Sequence, residues 1–308
     1  MQAIVLDGYG DNSHLVLQQV STPEPAPGQV RLRLKAAGIA IWDAMVRNGA
    51  FPLPSKPPFT PGFEGAGIVD AVGPDVNGLA LGDEVWTMSY SSSGCWAEYA
   101  VVPATDCAKM PATYGFADAC ALGVAGVTAY MGIVETLRVE RGEDVLIAGA
   151  AGGVGTIAVQ LAKHRGARVV ATGGADNAAY VRSLGADEYV DYTRGEVASH
   201  VRALVPEGVA AAFDAVSGTN ARETVRAVRS GGRIAIVTPP DLEPEDRSIT
   251  VTRIQSQPSP QRLDALTQLA GDGVLRVAVE RRFTLARVPE GLAYVEQGHT
   301  RGKVVAEF

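Results

Sequence analysis

The feature that most constrains this chain is the stretch VLIAGAAGGVGTIAVQLAKH, beginning at Val145. Four apolar residues run into Gly149-Ala150-Ala151-Gly152-Gly153-Val154-Gly155 and then into an apolar segment patterned as a helix. A buried strand that feeds directly into glycines and a helix gathers the first-turn N–H groups and the positive end of the helix dipole at one point, the arrangement that receives a pyrophosphate. The strict G-x-G-x-x-G spacing is not matched, since position 150 is alanine, and turns that only pack helix on strand also use glycine. The surroundings favour the dinucleotide reading over the packing one.

Those surroundings alternate. Asp118 to Leu137 can run as one helix. After it come VLIAGA, a helix from Gly153 to His164, RVVATG, a helix from Ala175 to Leu184, and EYVDY. A helix around Val197 to Leu204, AAAFDAV, a helix around Ala221 to Val228 and GGRIAIVTP complete the series. Strands separated by helices of about ten residues imply right-handed βαβ units and a parallel, doubly wound sheet. From Gln2 to Val102 the text is instead strand-like and rich in turns. In RLRLKA, Leu32 and Leu34 alternate with Arg31, Arg33 and Lys35, the mark of a strand with one wet face. Only Ile41 to Asn48 reads as a helix in this part, which is expected to be a curled, mainly antiparallel barrel. Beyond about residue 254 follow a helix from Gln261 to Leu269, LRVAVERRF, the helix PEGLAYVEQG and the strand GKVVAEF. That tail is too short for a third domain and is expected to complete the first. The expected α/β architecture is a β-rich domain of residues 1–118 and 255–308 with a doubly wound nucleotide-binding domain, 119–254, inserted into it.

Composition narrows the function. The net charge is -7 and the basic residues are scattered, so nucleic acid and anionic membranes are poor partners. Cys95, Cys107 and Cys120 include no CxxC pair, which encodes neither a disulfide framework nor a cysteine-zinc site and fits a reducing, cytoplasmic compartment. MQAIVLDGYGD reads as a strand rather than a secretory leader, and the apolar runs 119–134 and 145–159 read as buried elements rather than membrane spans. No Ser-His-Asp set, HExxH or helically spaced acid pair imposes another mechanism, and His14, His164, His200 and His299 stand at surface positions or element ends.

The end of the strand after the glycine turn selects the cofactor. An NAD site places an acid there to accept hydrogen bonds from the ribose diol. Here the strand ends Val170-Ala171-Thr172-Gly173-Gly174, without a carboxylate, and Asp176 reads as a helix first-turn acid. The vacancy suits a 2′-phosphate, hence NADPH over NADH, with Arg182 and Arg194 as possible cationic partners or simply solvated surface arginines.

GFEGAGIVDAVGPDVNGLALGDEVW, GVTAY, VLIAGAAGGVGTIAVQLAK, RSLGADEYVDY and the terminal TRGKVV together resemble the zinc-independent quinone oxidoreductases of the medium-chain dehydrogenase/reductase superfamily, the zeta-crystallin-like group. The resemblance runs over essentially the whole chain. It implies a GroES-like catalytic domain made from both chain ends, an inserted Rossmann domain, NADPH as cofactor, and a quinone or enone as small-molecule substrate; a homodimer is compatible with it. Zinc-dependent relatives carry a cysteine in the segment that here reads AAGIAIWD, a His-Glu pair where this chain has Phe63-Glu64, and four cysteines after the GDEV segment. No metal site is therefore expected.

By the same resemblance, Gly152, Gly153, Val154 and Gly155 form the pyrophosphate turn, and Thr128 is the threonine near the nicotinamide, or a helix hydroxyl bonded to its own preceding turn. Thr172, Gly173 and Gly174 match the adenosine-ribose loop and Tyr192 the tyrosine at the adenosine phosphate end. Val216 with Ser217 and Val237 with Thr238 match the strand ends beside the nicotinamide. Lys303 belongs to the Arg-Gly-Lys segment near the cofactor, or is an exposed rim cation. Two departures stand out: Ala40 replaces the usual Asn of an Asn-Pro pair, and the ribose-phosphate lysine falls on or near Ala178. For the acceptor the candidates are Trp42, Asp43, Met45, Phe51, Tyr90 and Ser92, with Asp43 and Tyr90 as catalytic residues. The rival reading is an NADPH-binding sensor or structural protein with weak catalysis.

Overall fold

A computed structural model of the chain describes residues 1–51, 55–90, 94–216, 220–237 and 244–308. It divides into two compact units, one made of Met1–Val124, Gln257–Asp272 and Val277–Phe308, the other of Ala125–Ser256 and Gly273–Arg276.

In the first unit β1 (Gln2–Leu6) and β2 (Leu15–Gln19) form an antiparallel pair. The long strand β3 (Gln29–Ile39) is the spine of the main sheet. Val30, Leu32 and Leu34 point into the core, while Arg31 on the other face bonds Asp70 and Glu24. After helix α1 (Ile41–Arg47) come β4 (Glu64–Val72), β5 (Glu84–Met88), β6 (Tyr99–Pro103) and β7 (Cys107–Lys109). β3 pairs antiparallel with both β4 and β6, and the sheet continues through β5 to β7. Ile4, Leu32, Val69, Trp96 and Val102 meet in its core, where the Trp96 indole N–H donates to the Gly38 carbonyl at 2.8 Å. Burying that ring is favourable because its polar atom has a partner.

The apolar segment expected as one helix from Asp118 to Leu137 is broken. Helix α2 (Phe116–Tyr130) leaves helical geometry at Gly123, with φ -36° and ψ -113°, and a π-helical turn follows over Met131–Thr136. At the break the Val124 N–H turns to the Glu64 carboxylate, 2.7 Å away. At the far end Leu137 N–H bonds the Gly132 carbonyl, the five-residue spacing of a π-turn. Sequence periodicity does not register a buried carboxylate competing for a helix amide. The passage from the first unit to the second falls at this place, between Val124 and Ala125, a few residues beyond position 118. Phe116–Thr136 is long and apolar enough to cross a membrane by composition, and it is mostly buried within the protein.

The second unit is built from β8 (Asp144–Ala148), α3 (Gly153–His164), β9 (Arg168–Gly173), α4 (Ala178–Ser183), β10 (Glu188–Asp191), α5 (Val197–Leu204), β11 (Val209–Asp214), α6 (Asn220–Ala227), β12 (Val228–Ile236) and β13 (Thr250–Arg253). Its six strands are all parallel, in the order β10-β9-β8-β11-β12-β13. The order reverses between β8 and β11, and open α/β sheets bind ligands outside the carboxyl ends of strands at such a switch point. The helix expected from Ala175 opens as a short 3-10 turn, Ala175–Asn177, before α4.

The chain then returns to the first unit as α7 (Pro260–Gly271), β14 (Val279–Thr284), α8 (Val288–Glu296) and β15 (Lys303–Glu307). β15 lies antiparallel to β3, with Val304 opposite Ile39, and β14 pairs parallel to β15. Arg47 at the end of α1 grips Glu296 of α8 with both guanidinium arms at 2.9 Å and also bonds the Gly10 carbonyl. Both chain ends therefore contribute to one sheet, and α1 is tied to the returning segment.

Candidate functional site

In the second unit the glycine turn leaves β8 at Gly149, whose φ of +75° favours glycine and where a Cβ would come within 2.6 Å of the Val216 side chain. Gly152 N–H folds back on the Gly149 carbonyl at 3.1 Å, and Gly152 becomes the N-cap of α3. The first amide to bond backward within the helix is that of Thr156, at 2.9 Å from the Gly152 carbonyl. The amides of Gly153, Val154 and Gly155 thus belong to the first turn, whose N–H groups have no helical acceptor. A Cβ on Gly152 would meet nothing closer than 3.5 Å, so the fold leaves that face of the turn open. An open first turn of backbone amides is a place that could receive a pyrophosphate.

Other carboxyl strand ends frame the same edge. Thr172 is buried near the end of β9, and its carbonyl accepts the Ala150 N–H at 3.0 Å, fixing the turn to the neighbouring strand. The Tyr189 hydroxyl donates to the Gly174 carbonyl at 2.6 Å and fills the space a side chain at Gly173 would need. Burial, with Asp191 nearby, pushes this phenol up to about 12, so it stays a donor. Tyr192 is exposed, with its hydroxyl 3.8 Å from where a Gly174 Cβ would stand. At the end of β11 the buried Asp214 accepts the Val216 N–H at 2.9 Å and the Thr224 hydroxyl at 3.0 Å, which holds Val216 against Gly149 while leaving its side chain partly exposed. The Val237 N–H bonds the Asp214 carbonyl at 3.2 Å. Ser217 and Thr238 lie outside the described residues, as does Ser92. Thr128 sits on the later half of α2 with 6% of its surface exposed. Among the described residues, Thr172, Gly173, Gly174, Val216 and Val237 therefore share one sheet edge. Asp214 and Tyr189, which shape that edge, were missed; an acid closing the apolar run AAAFD was the available signal for the first.

The first unit holds a second constellation. Asp43, at the third position of α1, accepts the Ala40 N–H at 2.8 Å through Oδ2, while its Oδ1 is buried without a hydrogen-bond partner. Burial is the main force pushing this carboxyl up to about 8; the Ala40 bond and Lys303 oppose it and Glu64 adds to it. Glu64, only 1% exposed, opens β4 and lies in a cradle formed by Gly38 and Gly123, at each of which a side chain would collide with its carboxylate. It takes the Val124 N–H on one oxygen and the Lys303 ammonium on the other. Lys303, 5% exposed, also places its ammonium 4.6 Å from the centroid of the Trp42 ring. The alternative of an exposed rim cation does not hold for Lys303. From the sequence Glu64 entered only as the residue standing, with Phe63, where zinc-dependent relatives have a His-Glu pair; a lone acid among glycines at the head of an apolar strand was the sign of its burial.

Phe51, Phe63 and Tyr90 gather in the same unit. Phe63 and Tyr90 meet edge to face at 4.9 Å, and Phe51 lies 5.7 Å from Phe63 and 6.0 Å from Tyr90. Ile41 and Met45, one turn apart on α1, expose their apolar side chains.

Comparison with known proteins agrees with both units. Residues 26–112 match the alcohol dehydrogenase GroES-like domain and residues 184–305 the zinc-binding dehydrogenase domain. The chain is 30% identical to a protein of Leishmania amazonensis named "Probable quinone oxidoreductase", covering 93% of this chain and 91% of that one. The chain belongs to the medium-chain dehydrogenase/reductase superfamily. Within that superfamily it is 31% identical to the NADPH-dependent alkenal/one oxidoreductase of Arabidopsis thaliana, over 99% of this chain and 79% of that protein. The human synaptic vesicle membrane protein VAT-1 homolog is 33% identical over 76% of the chain, which spans 60% of that relative's length. A solved NAD-dependent alcohol dehydrogenase superposes with a TM-score of 0.93 at 31% identity over the whole of both chains. A mycobacterial structure complexed with NADPH gives 0.91 at 28% identity, again over the whole of both. The fold is thus that of a GroES-like domain with a Rossmann-type parallel sheet, the family is one of oxidoreductases, and a nicotinamide cofactor is its working group.

Zinc, carried in one family name, does not fit the residues present. Among the described residues no group of three or more His, Cys, Asp or Glu side chains could hold a metal, and Glu64 is already neutralised by Lys303. The three cysteines are buried: burial pushes Cys107 up to about 12 and raises Cys95 and Cys120 further, so none offers a ready thiolate.

Proposed function

We propose that this protein is an NADPH-dependent, zinc-independent reductase of quinones or α,β-unsaturated carbonyls. The observation that carries the reading is the open face of Gly152 at the first turn of α3, beside a β9 end that offers Thr172, Gly173 and Gly174 but no carboxylate. Bound there, NADPH would supply the hydride. The α3 amides of Gly153, Val154 and Gly155 would receive its pyrophosphate, and Thr172, Gly173, Gly174 and Tyr192 would border its adenosine ribose. Val216 and Val237, with Ser217 and Thr238, would flank the nicotinamide, and Thr128 would approach it. Names of relatives, a quinone oxidoreductase and an NADPH-dependent alkenal/one oxidoreductase, point the same way.

For the acceptor, Phe51, Phe63, Tyr90 and Trp42 provide an apolar aromatic surround suited to a flat conjugated molecule. Such an acceptor spreads the charge that arrives with hydride over its own π-system and needs no Lewis acid. The residues then have two tasks, to exclude water and to return a proton to the acceptor oxygen. The Tyr90 hydroxyl or a water beside it would return the proton at the aromatic cluster, and Asp43, kept protonated by burial at neutral pH, is the proton-holding group on α1. Lys303 pairs with Glu64 and lies over the Trp42 ring. Three buried, unpaired cysteines suit the cytoplasm.

Steady-state oxidation of NADPH against a panel of para-quinones, alkenals and cyclic enones tests the reading. Turnover with at least one class is expected. NADPH binding without turnover on any of them would favour the sensor or structural alternative.

A further inference from the structure

Of the five asparagines, two precede glycine, Asn48-Gly49 and Asn77-Gly78, while Asn12, Asn177 and Asn220 precede serine or alanine. An Asn-Gly pair is open to attack by the glycine nitrogen on the asparagine side chain, because glycine has no Cβ to obstruct the approach and its backbone turns freely. The structure treats the two pairs differently.

Asn48 is locked. It caps the end of α1, and its Oδ1 accepts the Ala50 N–H at 3.0 Å. The Gly49 N–H, the group that would attack, donates to the Val46 carbonyl at 3.1 Å, and the Tyr9 ring lies 3.2 Å from where a Gly49 Cβ would stand. Both partners of the reaction are held in hydrogen bonds that must break before they can meet.

Asn77 lies in the connection 73–83 between β4 and β5, whose flanks are pinned. The Pro74 carbonyl accepts the Gly28 N–H at 2.7 Å. The Ala80 N–H donates to the Asp83 carboxylate at 2.9 Å, and the Ala80 carbonyl accepts the Asp83 N–H at 3.1 Å. Val76 and Leu79 pack on the apolar core of this unit. Between these anchors Asn77 and Gly78 are exposed, and among the described residues neither the Asn77 side chain nor the Gly78 N–H has a hydrogen-bond partner. Nothing lies within 4 Å of where a Gly78 Cβ would stand.

We infer that Asn77 is a site of spontaneous deamidation and that the fold protects Asn48 from the same reaction. The Gly78 nitrogen gives up its proton and bonds to Asn77 Cγ, the Cγ–Nδ2 bond breaks, and the side-chain nitrogen leaves as ammonia from a succinimide ring. Water then opens the ring at one carbonyl or the other, giving aspartate or an isoaspartyl link in which the chain runs through the former side chain. In sum one amide and one water become one carboxylate and one ammonium ion, with no oxidant or reductant. Each event adds a negative charge to a chain of net charge -7. The isoaspartyl product also inserts one carbon, a bond of about 1.5 Å, into the main chain between the packed anchors Val76 and Leu79.

Peptide mapping of the native full chain, aged at mildly alkaline pH, tests this. The one-dalton gain is expected on the peptide holding Asn77 about 10- to 100-fold faster than on the peptide holding Asn48, the ratio that two intact hydrogen bonds at Asn48 would impose. In denaturant, where those bonds are gone, the two rates should approach one another. Methyl transfer from S-adenosylmethionine by an isoaspartyl methyltransferase reads the branched product. Asn77→Gln should abolish most methyl acceptance by aged protein, and Asn48→Gln should leave it. Equal native rates, a faster Asn48, or conversion of Asn77 only in denaturant would overturn the assignment, as would methyl acceptance that survives in Asn77→Gln.

Discussion

Glu64 and Lys303, 239 residues apart in the chain, form a buried ion pair that joins the start of β4 to the start of β15. Neither charge has water to return to when its partner is removed. Lys303→Met should therefore destabilise the protein by about 3–5 kcal/mol, the cost of leaving one buried charge uncompensated. In Glu64→Gln the amide can still accept the Val124 N–H, so the expected loss comes chiefly from the unpaired ammonium. The double variant should recover part of the loss, because an apolar or neutral replacement of both partners escapes that penalty. Urea unfolding of the four proteins measures it, and single-variant losses that simply add in the double variant would show that the pair is not coupled.

The same cluster sets a pH dependence through Asp43. Its folded-state carboxyl is pushed up to about 8 by burial, against about 3.9 in an unfolded chain. Between those values the folded protein keeps a proton that the unfolded chain has released. Stability is then full below the unfolded value, falls as pH rises, and reaches its lower plateau above the folded value. For one such group the slope approaches about 1.4 kcal/mol per pH unit. Asp43→Asn keeps an acceptor for the Ala40 N–H and removes the titration. The variant should gain on the wild type progressively from pH 5 to pH 8 in about the same proportion, read as a difference in unfolding free energy. Parallel curves would remove Asp43 from the titrating groups.

How much of this was legible in the sequence depends on the distance over which each constraint acts. Alternation in RLRLKA and the apolar text of TIAVQLAKH are local, and β3 and α3 follow them. The parallel sheet was legible because strand and helix patterns alternate with short links. The break at Gly123 was not, since it depends on Glu64, 59 positions upstream, meeting the Val124 amide after folding. Lys303 shows the same limit: a lysine directly after the arginine and glycine of a polar turn reads as a surface cation until β15 pairs with β3 and buries it against Glu64. Asp43 could be named as a candidate from its place on a short helix, but its unpartnered oxygen is a property of the packed interior.

Two glycines of one turn should behave oppositely. Gly149 is required by the fold, with a left-handed backbone and Val216 packed where its side chain would be, so Gly149→Ala should cost at least about 1–2 kcal/mol of stability. Gly152 has an extended backbone and open space, so Gly152→Val should remain folded by circular dichroism while its methyl groups block the approach of a pyrophosphate. Loss of detectable NADPH affinity in a folded Gly152→Val protein is the expected result. Unchanged affinity would take this turn out of the cofactor site.

The thiols should be silent. Cys95, Cys107 and Cys120 are buried, and burial raises all three above the ordinary thiol range. Reactivity follows the exposed thiolate. In native protein at neutral pH a disulfide reagent should label none of them within the time that labels all three in denaturant. Rapid native labelling of any one would mark a local opening around it.

Tyr90 separates two accounts of catalysis. Its ring meets Phe63 edge to face at 4.9 Å, so Tyr90→Phe preserves the aromatic cluster and removes only the hydroxyl. If positioning and exclusion of water carry the rate, with water able to return the proton, turnover should fall by less than about tenfold, under about 1.4 kcal/mol of transition-state stabilisation. If Tyr90 delivers the proton alone, the fall should be about 10²–10⁴-fold with NADPH affinity unchanged. A quinone and an enone distinguish the two more sharply than either does alone. A quinol oxygen leaves as a weakly basic phenolate that water protonates readily, whereas the enolate of a simple enone is more basic and depends more on a placed donor. The small effect is expected on both, with the larger of the two on the enone. A large loss on both acceptors would make Tyr90 the obligatory acid and Asp43 a group that only holds its proton.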